Sequence, residues 1–330
     1  MKTKNSGRGP ARDRTVGRPK STLKIPPATK LVASPRPPVD YRAQNARLVA
    51  RGDVDTWVDW NDLDGRGMGR GAKTGRPYPM AMIGLVVTLM SMNNLTLREA
   101  QGRIRGELRR NGLATREPDF STICRRRREL NWAPPKLRRG QVIVIDATGI
   151  TVRATGPWLY QRTRDHRRSR FVKLHAAVDQ QTGEILHFAV TRAAGRGTGD
   201  VSVGPELIRE PAKISENPAG ILADRAYDAR GCYEAARDVG SALYTLPKDN
   251  ARRGLHPDRD THLDQIGRIG PPAWKKRVGY GQRSQVESAF SALKRVTGDR
   301  TRAHSFGGAV AEIFARISLY NRSLEMFPIR

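Results

Sequence analysis

The sequence predicts an α/β domain preceded by an all-α region. At 330 residues the chain can bury a full core and holds more than one module. Before Pro134 and Pro135 the apolar residues recur at helical spacing. After them, β-branched apolar runs alternate with helical stretches. The chain carries 60 Lys and Arg against 32 Asp and Glu, a formal charge of +28. That excess is too large for a neutral solvated surface and calls for a polyanionic partner, nucleic acid first.

Residues 1–40 hold ten Lys and Arg, two Asp and seven Pro, a composition that cannot bury a core and predicts a disordered basic tail. Its GRPK at 17–20 has the form of a minor-groove hook, though a tail touching phosphates without sequence preference explains it as well. A helical DNA-binding region is expected over 41–138. It opens with a helix from Tyr41 and then a Gly-rich basic loop at 62–76. GMGRGAKT in that loop nearly spells a P-loop, but Ala72 replaces the second Gly and no apolar strand leads into it, which excludes nucleotide hydrolysis. MAMIGLVVTLM at 80–90 is too short to span a membrane and reads as a buried helix. Thr96 opens the next helix, with Glu99 completing a capping box. A third helix begins near Asp119 or Ser121, with Phe120, Ile123, Cys124 and Leu130 inward and Arg125, Arg126, Arg127 and Arg128 largely outward. The pair has the form of a helix-turn-helix reading head.

The α/β domain is expected over 139–330. Its strands are QVIVIDATGITV (141–152), FVKLHAAVD (171–179), EILHFAVT (184–191), the opening of AGILADRAYD (219–228) and SALYTLP (241–247). Helices are expected at 200–209 and 229–238, in YGQRSQVESAFSALK (280–294), and over 307–326. Residues 248–278, rich in Pro, Gly and charge, read as a loop insertion. The two cysteines, Cys124 and Cys232, form no CxxC pair, so a reducing cytoplasm fits. His256 and His262 lack the spacing a zinc site needs. No apolar segment follows the basic N-terminus, and no secretory signal is expected.

Asp146 and Asp224 each stand at the end of an almost wholly apolar strand, where a charge is costly without compensation. Brought together, two such carboxylates would repel. A divalent cation removes the conflict, and Mg²⁺ (or Mn²⁺) prefers such oxygen ligands. Glu287 supplies a third carboxylate, on a helix whose apolar stripe of Val286, Ala289, Phe290 and Leu293 runs beside a polar stripe of Tyr280, Arg283, Glu287 and Lys294. Two ions roughly 4 Å apart at such a site clamp an in-line phosphoryl displacement. Plainer readings exist for each residue. Asp146 can begin a turn, Asp224 can pair with Arg225, and Ser284 with Glu287 has the form of a capping box. No GxSxG elbow is present, which removes the entry point of a Ser-His-Asp hydrolase. Tyr280, in its basic segment, keeps a covalent recombinase formally open.

Taken together, Tyr280-x2-Arg283-x3-Glu287-x6-Lys294 resembles the Y-R-E-K signature of insertion-sequence transposases with a DDE catalytic domain. The run from Asp146 through TGEI, the ADRAYD box, PKDNARRG and WKKRVGYGQRSQVESAFSALK are similar to that family's ordered motifs. So are the helical segments upstream, and the resemblance spans roughly 41–326. Arg225 stands where the family commonly has Gly, and Arg302 and Glu312 lack the Gln usually found between them. The resemblance implies an RNase H-like mixed sheet flanked by helices, and Mg²⁺ or Mn²⁺, two ions, held by Asp146, Asp224 and Glu287. Its implied partners are double-stranded DNA, as terminal inverted repeats and target, bound by a dimer or larger assembly. Arg283, Lys294 and Tyr280 would hold the DNA strand, and the arginines at 125–128 the element ends. A catalytically silent DNA-binding relative and a nuclease that cuts without joining are the competing expectations.

Overall fold

The computed structural model describes residues 40–63, 78–130, 134–136, 140–152, 161–162, 168–169, 171–248 and 250–326. The tail with its GRPK segment and nearly all of the Gly-rich loop lie outside them.

The α/β part is built on β1 (Val142–Val152). β4 (Phe171–Asp179) pairs with it antiparallel and β5 (Ile185–Arg192) pairs antiparallel with β4. On its other side β6 (Gly220–Ala223) and then β7 (Leu243–Tyr244) add in parallel. The order is β5-β4-β1-β6-β7, with β8 (Arg300–Thr301) pairing the far end of β1. A separate two-stranded ribbon joins β2 (Gln161–Arg162) and β3 (Arg168–Ser169). This is the RNase H-like mixed sheet that the resemblance implied: an antiparallel meander extended by parallel strands. The first four residues of β1, Val142 to Ile145, read as an unbroken apolar run because both faces are covered there. Val142 and Val144 point into one core and Ile143 and Ile145 into the other.

The second core is roofed by α5 (Asp200–Lys213) and α6 (Arg230–Asp238), through Val203, Leu207, Ile208, Tyr233 and Ala236. The first is covered by α9 (Ser284–Thr297) and α10 (Phe306–Met326), through Val286, Phe290, Leu293, Ile313 and Ile317. α10 also ties down the exposed edge of the sheet. Asn321 donates to the Ile185 carbonyl (2.8 Å) and accepts its N–H (2.9 Å), satisfying the edge strand as a further strand would.

Upstream lie α1 (Tyr41–Gly52), α2 (Met80–Asn93), α3 (Leu97–Arg110) and α4 (Phe120–Arg126). α2 is apolar all round because it is covered on two sides. Met82, Leu85, Val86 and Leu89 meet α3 and α4, while Ile83 and Val87 meet Ala315 of α10. No single helix among the described residues is long and apolar enough to cross a membrane; α2 and α3 pass that test only as a pair, bent by 114°. The expected caps form. Thr96 and Glu99 bond reciprocally at the start of α3, and Asp119 accepts from the Ser121 and Thr122 N–H groups at the start of α4.

The strand expected to open AGILADRAYD spans Gly220–Ala223 and ends at Asp224, which caps a 3-10 turn, Arg225–Tyr227. One expectation changes. Residues 248–278 are not a loop: they fold as α7 (Pro257–Ile269) and α8 (Pro271–Arg277). The prolines that suggested a loop stand in the first turn of each helix, where a missing N–H costs nothing. A buried ion pair anchors this unit. Arg259 bonds Asp228 through two nitrogens (2.7 and 2.9 Å), and the two side chains are 5% and 0% exposed. Tyr233 and the Lys248 N–H complete the shell around that carboxylate. His256 and His262 are not a metal pair. His256 stacks on Tyr233, and His262 on Tyr244, with Trp274 at its edge.

This packing sets two expectations for stability. Arg259→Met strands Asp228 in the interior and should cost about 3–5 kcal/mol in urea unfolding, part of it recovered in the R259M/D228N double variant. Burial pushes the His262 imidazole down to about 4, with Asp258 and Asp228 opposing weakly. His262 therefore folds neutral, and its contribution is present above the unfolded histidine pKa of 6.5 and lost as pH falls toward 4. Stability should drop by up to about 3 kcal/mol across that window, and His262→Phe should flatten the profile.

Candidate active site

The parallel register of β1 and β6 sets the site. Ile145 pairs with Ala223, the last pair between β1 and β6, so Asp146, mid-strand in β1 and not at its end as expected, stands beside Asp224, which follows the end of β6. Each carboxylate is held by the N–H of the residue after it: Ala147 to Asp146 Oδ1 (2.8 Å) and Arg225 to Asp224 Oδ1 (2.6 Å). Thr245 Oγ1 donates to the Asp224 carbonyl (2.8 Å) and fixes the turn from the β7 side. Asp146 shares its strand face with Val142 and Val144 and so points toward α9.

α9 docks through Val286, Ala289, Phe290 and Leu293, all buried. That docking sets Arg283 and Glu287 over the strand ends. Arg283 Nη1 lies 3.2 Å from Asp146 Oδ2, and its Nη2 lies 2.6 Å from Glu287 Oε1. One guanidinium thus bridges the first and third candidate carboxylates. The capping box expected of Ser284 and Glu287 does not form. The Ser284 hydroxyl donates back to the Gly281 carbonyl (3.1 Å), and no side chain caps α9. Glu287 is engaged by Arg283 alone among the described residues and is 57% exposed.

Burial pushes the Asp146 carboxyl above its ordinary range. The Ala147 N–H and Arg283 oppose that rise, and the charges of Asp224 and Glu287 add to it. Burial would depress the Arg283 guanidinium, but Asp146 and Glu287 outweigh it and raise it. The three carboxylates therefore share one electrostatic neighbourhood, in which Arg283 is the cation. Among the described residues no three His, Cys, Asp or Glu side chains are grouped closely enough to hold a metal ion as they stand. Asp146, Asp224 and Glu287 are neighbours with an all-oxygen donor set rather than a finished cage.

The other candidate residues fall into distinct positions. Tyr280 is buried and its hydroxyl donates to the Ala223 carbonyl (2.9 Å). Its ring is therefore a strut beneath the second strand end, not a platform facing a DNA strand. Its spacing matched the polar stripe, but a hydroxyl on a large ring suits a buried anchor equally well. Lys294 is half-buried and its Nζ donates to Thr148 Oγ1 (2.7 Å). Thr148 went unnoticed in the sequence. Its signal was parity: it follows Asp146 by two residues on one strand and so shares its face. Of the four arginines at the end of α4, only Arg125 and Arg128 are exposed. Arg126 reaches back to the Tyr78 carbonyl and Glu129, and Arg127 is buried against the start of α10. The expectation that the four face largely outward is corrected: Arg126 and Arg127 follow buried Ile123 by three and four residues and so share its inward side, whereas Phe120, expected inward, is 37% exposed.

Two family models with the description "Transposase DDE domain" match the chain, one over residues 138–322 and one over 49–155. Solved structures show weaker likeness. The piggyBac transposase synaptic complex with hairpin DNA is 13% identical, over 85% of this chain and 74% of that one, at a TM-score of 0.42. The Mos1 strand transfer complex is 12% identical, over 89% and 85%, at 0.29. The Mos1 mariner paired-end complex with Mn is 10% identical, over 74% and 97%, at 0.22. The first family match spans more than half of the chain and contains Asp146, Asp224 and Glu287, and the protein belongs to the DDE transposase family.

Proposed function

We propose that this DNA transposase serves an insertion sequence of the Y-R-E-K group. It binds the element's terminal inverted repeats, hydrolyses the phosphodiester at each end, and joins the freed 3′-hydroxyl to target DNA. The setting is the cytoplasm of a prokaryotic cell, and two ends are brought together by a dimer or larger assembly. One observation carries the reading: Asp146 within β1 and Asp224 just after β6 follow the last pair of two parallel strands and stand side by side, with Glu287 linked to Asp146 through Arg283.

The donor set fits a hard divalent ion. All three groups are carboxylates, and the raised Asp146 gains from added positive charge. Mg²⁺ or Mn²⁺, two ions in this reading, would be held by Asp146, Asp224 and Glu287 and would supply charge neutralisation at the phosphate and activation of the attacking hydroxyl. The chain's own residues do the rest. Arg283 neutralises Asp146 and Glu287 until they are needed, then transfers its fork of donors to a strand phosphate. Lys294, resting on Thr148, offers its ammonium on the same strand face. The buried ring of Tyr280 keeps the second strand end from shifting. Arg125 and Arg128 remain for backbone contacts upstream, with affinity falling steeply as salt rises.

The test uses linear DNA carrying the element's own terminal repeats. With Mg²⁺ the unmodified protein should cleave it, EDTA should stop cleavage, and Asp146→Ala and Glu287→Gln should each lose about 10²–10³-fold or more. Undiminished cleavage in both variants would sink the carboxylate assignment. Binding with no cleavage by the unmodified protein would favour the silent relative, and cleavage with no joining to a target plasmid the nuclease. Arg283 yields a separate prediction. In Arg283→Gln the carboxylates lose their internal cation, so Mn²⁺ should raise the melting temperature more than in the unmodified protein. An equal or smaller rise would remove Arg283 from that role.

A further inference from the structure

We infer that the outer surface of α8 is a contact site for the DNA phosphate backbone, placed beside the active site; this rests on the transposase reading above. α8 docks by Trp274 and Val278, which are 0% and 3% exposed and stand four residues apart. The residues between them, Lys275, Lys276 and Arg277, are all exposed. Trp274 is held from both sides. Its indole N–H donates to Gln265 of α7 (3.2 Å), and its ring lies 6.1 Å from that of Tyr280. Tyr280 in turn bonds the carbonyl of Ala223, the residue before Asp224. One aromatic pair therefore separates this helix from the second strand-end carboxylate. Gly279, at a φ of 66° that a side chain would strain, makes the sharp turn from α8 into Tyr280.

Charge complementarity names the occupant. The acidic side chains of α7 are engaged on their own side: Asp258 with Arg237, Asp264 with Arg253, and Asp260 with the Gly254 N–H. α8 itself contains no acidic residue. Lys275, Lys276 and Arg277 have no ion-pair partner among the described residues. The result is three cations on a short helix that the buried Asp228–Arg259 pair and the Trp274 anchor keep in place. An ordinary solvated face mixes both signs. A one-signed, anchored face next to a phosphoryl-transfer site is suited to holding a polyanionic strand in register. Exposed lysines and arginines of this kind contact phosphates and do not read bases.

The experiment measures binding of the full chain to a duplex carrying the terminal repeat, and to an unrelated duplex of equal length, from low to moderate salt. The variant is K275Q/K276Q/R277Q, with R209Q/K213Q on the opposite layer as the control. Log affinity against log salt should flatten by roughly 2 to 3 in the triple variant, about 0.9 for each phosphate no longer neutralised, on both duplexes. The control slope should stay unchanged. Circular dichroism and the urea midpoint of the triple variant should match the unmodified protein, since its three side chains are exposed. A triple-variant slope equal to that of the unmodified protein overturns the proposal. So does an equal flattening per charge in the control, which would mean diffuse attraction. If the unmodified protein bound neither duplex, the transposase reading itself would fail, an outcome distinct from either of these.

Discussion

The parallel pairing of β1 with β6 is the constraint on which the rest of the site depends. A parallel register keeps successive residues of the two strands in step, so whatever follows Ile145 within β1 stands beside whatever follows Ala223 at the end of β6. Here both followers are aspartates, at the mouth of a sheet whose cores are almost wholly apolar. The fold thereby concentrates uncompensated negative charge at one place, and positive charge must come from elsewhere in the chain or from solution. Arg283 supplies it within the protein, reaching Asp146 and Glu287 together. Helix α9 is seated by its apolar stripe, with Lys294 bonded to Thr148, and its register decides whether that guanidinium arrives.

The surroundings resist displacement of the strand ends more than of the arginine. Thr245 and Tyr280 hold the main chain at Asp224 and Ala223. Asp228, four residues beyond Asp224, is locked by Arg259 in the interior. Among the described residues the Arg283 guanidinium is held by the two carboxylates it neutralises, and it stays partly exposed. An interaction of that kind exchanges readily with another cation or anion, because nothing else in the fold requires it. Rigid strand ends with an exchangeable bridging cation suit a site that must open its carboxylates without moving its backbone.

Much of this was legible in the sequence because the site breaks local rules. A carboxylate closing an apolar run is conspicuous, and Asp146 and Asp224 stood out for that reason, although β1 continues six residues beyond Asp146. Glu287 stood out because its helix set a polar stripe against an apolar one. Helices α7 and α8 were hidden because proline marks both loops and first helical turns, and only the following residues separate the two. The burial of Tyr280 and of Arg127 could not be read locally. Each depends on a partner far along the chain, the Ala223 carbonyl for one and the start of α10 for the other. Thr148 was overlooked because a threonine in a strand is unremarkable until Lys294, 146 residues later, is set against it.

The helical region and the sheet share more than adjacency. α10 closes the first core with Ile313 and Ile317, clamps β5 through Asn321, and receives Ile83 and Val87 of α2 on Ala315. Arg316, 4% exposed, holds the Gly298 and Arg300 carbonyls and pairs with Glu312, whose carboxylate also accepts the Arg302 N–H. Arg302 and Glu312 are thus joined structurally, through a backbone bond that ends α9 cleanly and feeds β8 back along β1. Because the same helix carries α2 on one side and seats α9 on the other, a force on the upstream helices is transmitted to the helix bearing Glu287 through packed side chains rather than through a linker. The upstream helices are therefore one packed body with the site.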